Sequence, residues 1–97
     1  MTIQKKANGS ALCVAVEGRL DTTTAPDLAS ELSDLTGVTS LTLDFSKLEY
    51  ISSAGLRVLL SIHKIMSKQG GMKVTHVNEI VSEVFEVTGF NDILNIE

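Results

Sequence analysis

The feature that most restricts this chain is a repeated change of hydrophobic period within 97 residues. Over Ser40–Phe45 the period is two, with Leu41, Leu43 and Phe45 pointing one way and Thr42 and Asp44 the other, the mark of a strand. From Ser53 to about Lys68 the spacing becomes helical. Leu56, Leu59, Leu60, His63 and Met66 form one stripe, and Val58, Ile62 and Ile65 widen it, which predicts an unusually buried helix. Gly70-Gly71 ends that helix, and Met72–His76 returns to a strand. Asn78 is then placed to cap a last helix with Ile80, Val81, Val84 and Phe85 as its expected buried face, and Gly89 stops it. Strands joined by crossover helices imply a sheet with parallel pairs and helices packed upon it.

The first third of the chain adds a hairpin. Thr2–Ala7 reads as a strand from its place before Asn8-Gly9, two residues that tolerate positive φ. Ala11–Val16 sets Leu12, Val14 and Val16 against Cys13 and Ala15. Both faces are small or apolar, so a strand buried on both sides is expected, with Cys13 inside. Gly18-Arg19-Leu20-Asp21 is expected to break this strand. A helix then begins between Thr24 and Pro26. Proline suits a first turn and Asp27 complements the helix dipole. Leu28, Ala29, Leu32 and Leu35 follow helical spacing, and Gly37 is the expected stop. Ser46–Tyr50 reads as a loop with Leu48 and Ile51 tucked beneath it. Ile93, Leu94 and Ile96 form a closing segment, either a strand or packed coil. The expected fold class is α/β: one domain over residues 1–97, a mixed four- to five-stranded sheet, about three helices, and the order β-β-α-β-α-β-α-(β).

Several kinds of chemistry are disfavoured. The net charge is -4 and the eight Lys and Arg residues are scattered, so nucleic acid is not an expected partner. The single cysteine cannot close an internal disulfide, which fits a reducing compartment. No apolar core of a signal peptide follows Lys5-Lys6. No stretch approaches the ~18 apolar residues that cross a bilayer. A cytoplasmic monomer without membrane insertion is expected. His63 and His76 have no partners at ligand spacing, so no metal is expected. His63 reads as a core or boundary residue and His76 as a solvated loop residue. A hydrolase nucleophile elbow needs glycine two residues before its serine, and Ile51 stands there instead. Gly70-Gly71 lacks the lysine and hydroxyl of a phosphate-binding loop. Neither enzyme activity nor a cofactor is expected.

What remains is Ser52-Ser53-Ala54-Gly55-Leu56. Serine is a favoured helix N-cap, and capping accounts for one serine. The second serine and the small Ala54 and Gly55 are not required by a cap. They open the backbone to close approach at a helix start, where free N–H groups can host a phosphate.

These residues carry a resemblance. Gly18-Arg19-Leu20-Asp21-Thr22-Thr23-Thr24-Ala25 is similar to the Gly-x-Leu-Asp segment of the STAS family, the sulfate transporter and anti-sigma factor antagonist domain. Leu43-Asp44-Phe45 through Ile51-Ser52-Ser53-Ala54-Gly55-Leu56 matches its second motif. Val87-Thr88-Gly89-Phe90 resembles the Thr-Gly-Leu near its end. The resemblance covers nearly the whole chain. It implies an antagonist whose unmodified form binds an anti-sigma factor serine/threonine kinase and so releases a sigma factor. The kinase phosphorylates a serine at the start of the long helix, and a serine phosphatase reverses this. The family motif reads Asp-Ser-Ser/Thr-Gly-Leu, with the phosphate on the first hydroxyl residue. Counting back from Gly55-Leu56 assigns phosphorylation to Ser53, with Ser52 as the neighbouring alternative. Ser52 takes the place of the family aspartate and Ala54 that of the second hydroxyl. Asp21 matches an aspartate in a loop beside the serine, expected to orient its hydroxyl or to contact the kinase. The partner-binding set implied is Asp21, Thr22, Ser52, Ser53, Ala54, Gly55 and Arg57, with Arg19 on its flank. The resemblance also allows an interaction module of this fold in another signalling, secretion or transporter-accessory system.

Overall fold

The computed structural model describes Met1–Glu97. Six strands are present: β1 (Thr2–Asn8), β2 (Ala11–Leu20), β3 (Ser40–Asp44), β4 (Leu48–Ile51), β5 (Met72–Thr75) and β6 (Asn95–Ile96). Three helices connect them: α1 (Ala25–Glu31), α2 (Ser53–Met66) and α3 (Glu79–Thr88), the last followed by a 3-10 turn over Phe90–Asp92. The sheet runs β1-β2-β3-β5-β6, and β4 pairs with β2 beside this path. Only β1 and β2 are antiparallel, as the Asn8-Gly9 hairpin requires; the other pairs are parallel. The mixed α/β architecture is the one read from the periodicity.

One face of the sheet carries Val14, Val16, Leu41, Leu43 and Val74, all at most 1% exposed. The three helices bury their apolar rows against it in a single core that includes Leu28, Leu59, Ile62 and Phe85. Burial of this kind is the main stabilising term of the fold. The other face carries the row Lys6, Cys13, Thr42, Lys73 and Asn95, in register across five strands. None of these residues is buried.

The differences from the sequence reading have physical causes. Cys13 is exposed, because no helix packs on its face of β2. Gly18-Arg19 does not end β2. Gly18 takes φ +96, the register shifts between Gly18 and Arg19, and the strand continues to Leu20 against a new neighbour. That neighbour is β4, a strand where a loop was expected. Leu48 and Ile51 are 1% exposed on its inner side. Helix α1 stops at Glu31, well before Gly37, while Leu32 and Leu35 stay buried beyond it. Ile65, Ile80 and Ile93 lie outside the core, and Leu94 anchors the closing segment. Helix α2 is therefore a one-sided helix: Leu56, Leu59, Ile62 and Met66 point inward, and Leu60 and His63 are half-buried.

Candidate functional site

The register shift between β2 and β4, where Gly18 pairs with Leu48 but Arg19 with Tyr50, creates the site. It lets β2 run alongside β4, so that Leu20 pairs with Ile51 and both strands end together. The Ser52 N–H donates to the Leu20 carbonyl at 2.9 Å. The turn leaving β2 (residues 21–24) and the start of α2 thereby become neighbours at the carboxyl ends of two parallel strands, the usual binding edge of α/β sheets.

Ser52 is the N-cap of α2, with extended backbone (φ -99, ψ 176). Its Oγ accepts the Gly55 N–H at 3.4 Å, a long contact for a hydrogen bond. Ser53 is the first residue of the helix and is exposed. No acidic side chain lies in the first turn. The positive end of a 14-residue helix is therefore left without a negative side chain of its own. Ala54 is half-buried and Gly55 is buried. A Cβ on Gly55 would sit 2.8 Å from Leu20 Cγ and 2.9 Å from Ile51 Cγ1. Glycine at this position lets the helix start pack directly on the ends of β2 and β4. Arg57 is exposed one turn after Ser53, on the same helix face by its i, i+4 spacing.

Asp21 follows Leu20, whose carbonyl accepts the Ser52 N–H, but its carboxylate is committed elsewhere. Its Oδ1 accepts the Thr23 hydroxyl at 2.7 Å, the Thr23 N–H at 3.0 Å and the Thr24 N–H at 3.2 Å, with the Thr24 hydroxyl oxygen 3.3 Å away. The Thr24 Oγ1 accepts the Asp21 N–H at 2.8 Å and donates to the Arg19 carbonyl at 2.7 Å. The Thr23 hydroxyl above all, helped by the Thr23 and Thr24 N–H groups, holds the Asp21 carboxyl below its usual range despite the opposing effect of desolvation. The expected bond from Asp21 to the Ser53 hydroxyl is not formed; the carboxylate instead shapes its own turn and the approach to α1. Thr22, at the tip of that turn, is exposed.

Arg19 completes the surface. Its guanidinium lies 4.5 Å from the Tyr50 ring centroid, and its Nε is 3.9 Å from Asp21 Oδ2. Arg19 and Tyr50 are register partners on β2 and β4. The sequence reading missed Tyr50 because β4 was read as a loop. It also missed the roles of Thr23 and Thr24: aspartate commonly accepts the N–H two residues on, but the Thr23 hydroxyl bond adds to that turn. No group of three His, Cys, Asp or Glu side chains is arranged to hold a metal ion. His76, expected in a solvated loop, is exposed with its Nδ1 3.4 Å from Asp44 Oδ1. No helix is long and apolar enough to cross a membrane.

Comparison with known proteins agrees with this architecture. The STAS domain family matches residues 2–97. The anti-sigma-B factor antagonist of Bacillus subtilis is 30% identical over 98 residues, covering 99% of this chain and 90% of that protein. The "putative anti-sigma factor antagonist BtrV" of Bordetella bronchiseptica is 35% identical over 88 residues, covering 88% of this chain and 76% of BtrV. Among solved structures, the anti-sigma factor antagonist SpoIIAA in its unphosphorylated form superposes with a TM-score of 0.85 at 17% identity, over 99% of this chain and 88% of SpoIIAA. Bacillus SpoIIAA in its phosphorylated form gives 0.76 at 16% identity, over 99% and 91%. In fold, in the order of its motifs and in these relatives, the chain belongs to the STAS domain family, beside proteins that are anti-sigma factor antagonists.

Proposed function

We propose that this chain is an anti-sigma factor antagonist whose unphosphorylated form binds an anti-sigma factor serine kinase, frees a sigma factor, and is switched off by phosphorylation of Ser53. The observation that carries the reading is Ser53 itself: exposed, first in α2, followed by small Ala54 and Gly55, with no carboxylate in that turn. A kinase can reach this hydroxyl without disturbing the core. The phosphorylated form of SpoIIAA supports the chemistry by likeness.

The switch is local electrostatics. A phosphate adds about -1.5 to -2 charges and three acceptor oxygens. On the free chain the N-terminus of α2 stabilises them. In a docked interface formed by Ser53, Thr22, Ser52, Ala54, Gly55 and Arg57 the same group adds bulk and desolvation cost. A loss of ~3 kcal/mol weakens binding about a hundredfold. Asp21 supports this surface by holding the 21–24 turn rather than by touching Ser53. The switch needs ATP and the kinase, which sets it in the cytoplasm, and a serine phosphatase to reset it; the chain acts as a monomer with no catalytic role of its own.

The test is intact-mass spectrometry with site mapping after incubation with ATP and the serine-kinase anti-sigma factors of the same organism. One added phosphate on Ser53, lost in Ser53→Ala, supports the reading. Phosphate on Ser52 moves the acceptor by one residue. A stable complex without transfer favours the second reading, a constitutive STAS interaction module. Ser52 in place of the family aspartate is the feature that favours that alternative.

A further inference from the structure

Helix α3 carries three rows of side chains at the same four-then-three spacing. Val81 and Phe85 face the core and are fully buried. One position earlier, Ile80, Val84 and Val87 form an apolar row in which Ile80 is 58% and Val87 87% exposed. One position earlier again, Glu79, Glu83 and Glu86 form an exposed acidic row. The apolar row, with Glu83 and Thr88 of the same helix, bounds a shallow, open depression of about 300 Å³.

Much of both outer rows is unfavourable for the isolated chain, although Glu79 in the first turn complements the helix dipole. Like charges three and four residues apart destabilise a helix. Glu86 lies in the last turn, where a carboxylate opposes the dipole and no basic residue offsets it. None of the three glutamates takes part in the ion pairs of the chain. An apolar row beside unpaired carboxylates is relieved by one kind of contact.

We propose that this face of α3 docks an amphipathic segment of a protein partner, with apolar residues at helical spacing flanked by Lys or Arg. Apolar anchors would pack against Ile80 and Val87 and the cations would meet the acidic row, a helix-on-helix contact. The acidic row selects this occupant. It repels an anionic bilayer surface, and an antiparallel two-fold pairing of copies would set three glutamates against three. The surface is distinct from Ser53: α3 starts at Asn78, which donates to Leu48 at the beginning of β4, whereas Ser53 follows the end of β4. The proposal therefore stands independently of the phosphorylation switch.

The test uses two synthetic helical peptides titrated into the 15N-labelled chain. Both carry leucines at four-then-three spacing; one has flanking arginines and the other glutamates. The arginine peptide is expected to saturate with amide shifts confined to residues 79–88, and to weaken as salt rises. Val87→Ser should reduce its affinity about tenfold, and Glu83→Lys with Glu86→Lys should transfer the preference to the glutamate peptide. These positions are exposed, and unchanged far-UV circular dichroism would show that the fold is kept. Equal binding of both peptides, shifts elsewhere, or no binding would overturn the proposal. Concentration-dependent self-association abolished by Val87→Ser would also overturn it, in favour of a second copy.

Discussion

Helices α2 and α3 both start with a polar side chain that accepts the N–H three residues on, yet the two starts are finished differently. Asn78 makes a 2.8 Å bond to Val81 and uses its amide to donate to Leu48 at 2.7 Å, and Glu79 supplies negative charge in the first turn. That start is closed by the chain's own groups. At α2 the cap bond from Gly55 to Ser52 is 3.4 Å, the first turn has no carboxylate, and Ser53 faces solvent. The same helical terminus, with the same partial positive charge, is used for stability in one place and left available in the other. The lesson is that a site in so small a fold is marked by what its helix start lacks.

This contrast can be broken by substitution. The largest effect on stability is expected from Gly55→Ala, about 1–3 kcal/mol by urea denaturation, because the new Cβ would meet buried Leu20 and Ile51. A neutral result would show that the α2 start packs less tightly than described. Asn78→Ala should cost about 1–2 kcal/mol, since two good bonds disappear. Ser52→Ala should cost less than about 1 kcal/mol, as its single bond is long. Ser53→Asp sharpens the comparison further. It should raise stability by about 0.3–1 kcal/mol through the helix dipole while abolishing binding to the kinase. Glu79→Gln should lower stability by a similar amount without touching that binding.

The smallest effect concerns acid. The folded-state carboxyl of Asp21 titrates below the ordinary value of 3.8. A depressed folded pKa gives stabilisation that is present above the unfolded value and lost as pH falls through the folded one. The amide shifts of Thr23 and Thr24 should therefore stay constant from neutral pH down to about pH 4 and move only in stronger acid. Movement near pH 6 would contradict the hydrogen bonds assigned to Asp21.

These expectations use residues of unequal legibility. The Asn8-Gly9 hairpin, the alternation over Ser40–Phe45, the Asn78 cap and the Gly89 stop act locally, so the sequence reveals them. Strand β4 does not show itself, because Glu49 is an extra residue opposite the Gly18-Arg19 step, so Leu48 and Ile51 are both buried and no period of two survives. Cys13 and Ile80 misled for a related reason. Their apolar character was visible, but which face the helices cover is a property of the whole sheet. At the candidate site, the helix start at Ser53 and the need for a small residue at Gly55 are legible in the sequence, whereas the engagement of Asp21 by Thr23 and Thr24 depends on hydroxyl geometry that no spacing rule supplies.

The most direct test of the central claim is a calorimetric titration of the serine-kinase anti-sigma factor with three forms of this chain: unmodified, phosphorylated on Ser53, and Ser53→Ala. The account predicts tight binding of the unmodified and alanine forms and at least about a hundredfold weaker binding of the phosphorylated form. Equal affinity of the phosphorylated and unmodified forms would contradict it.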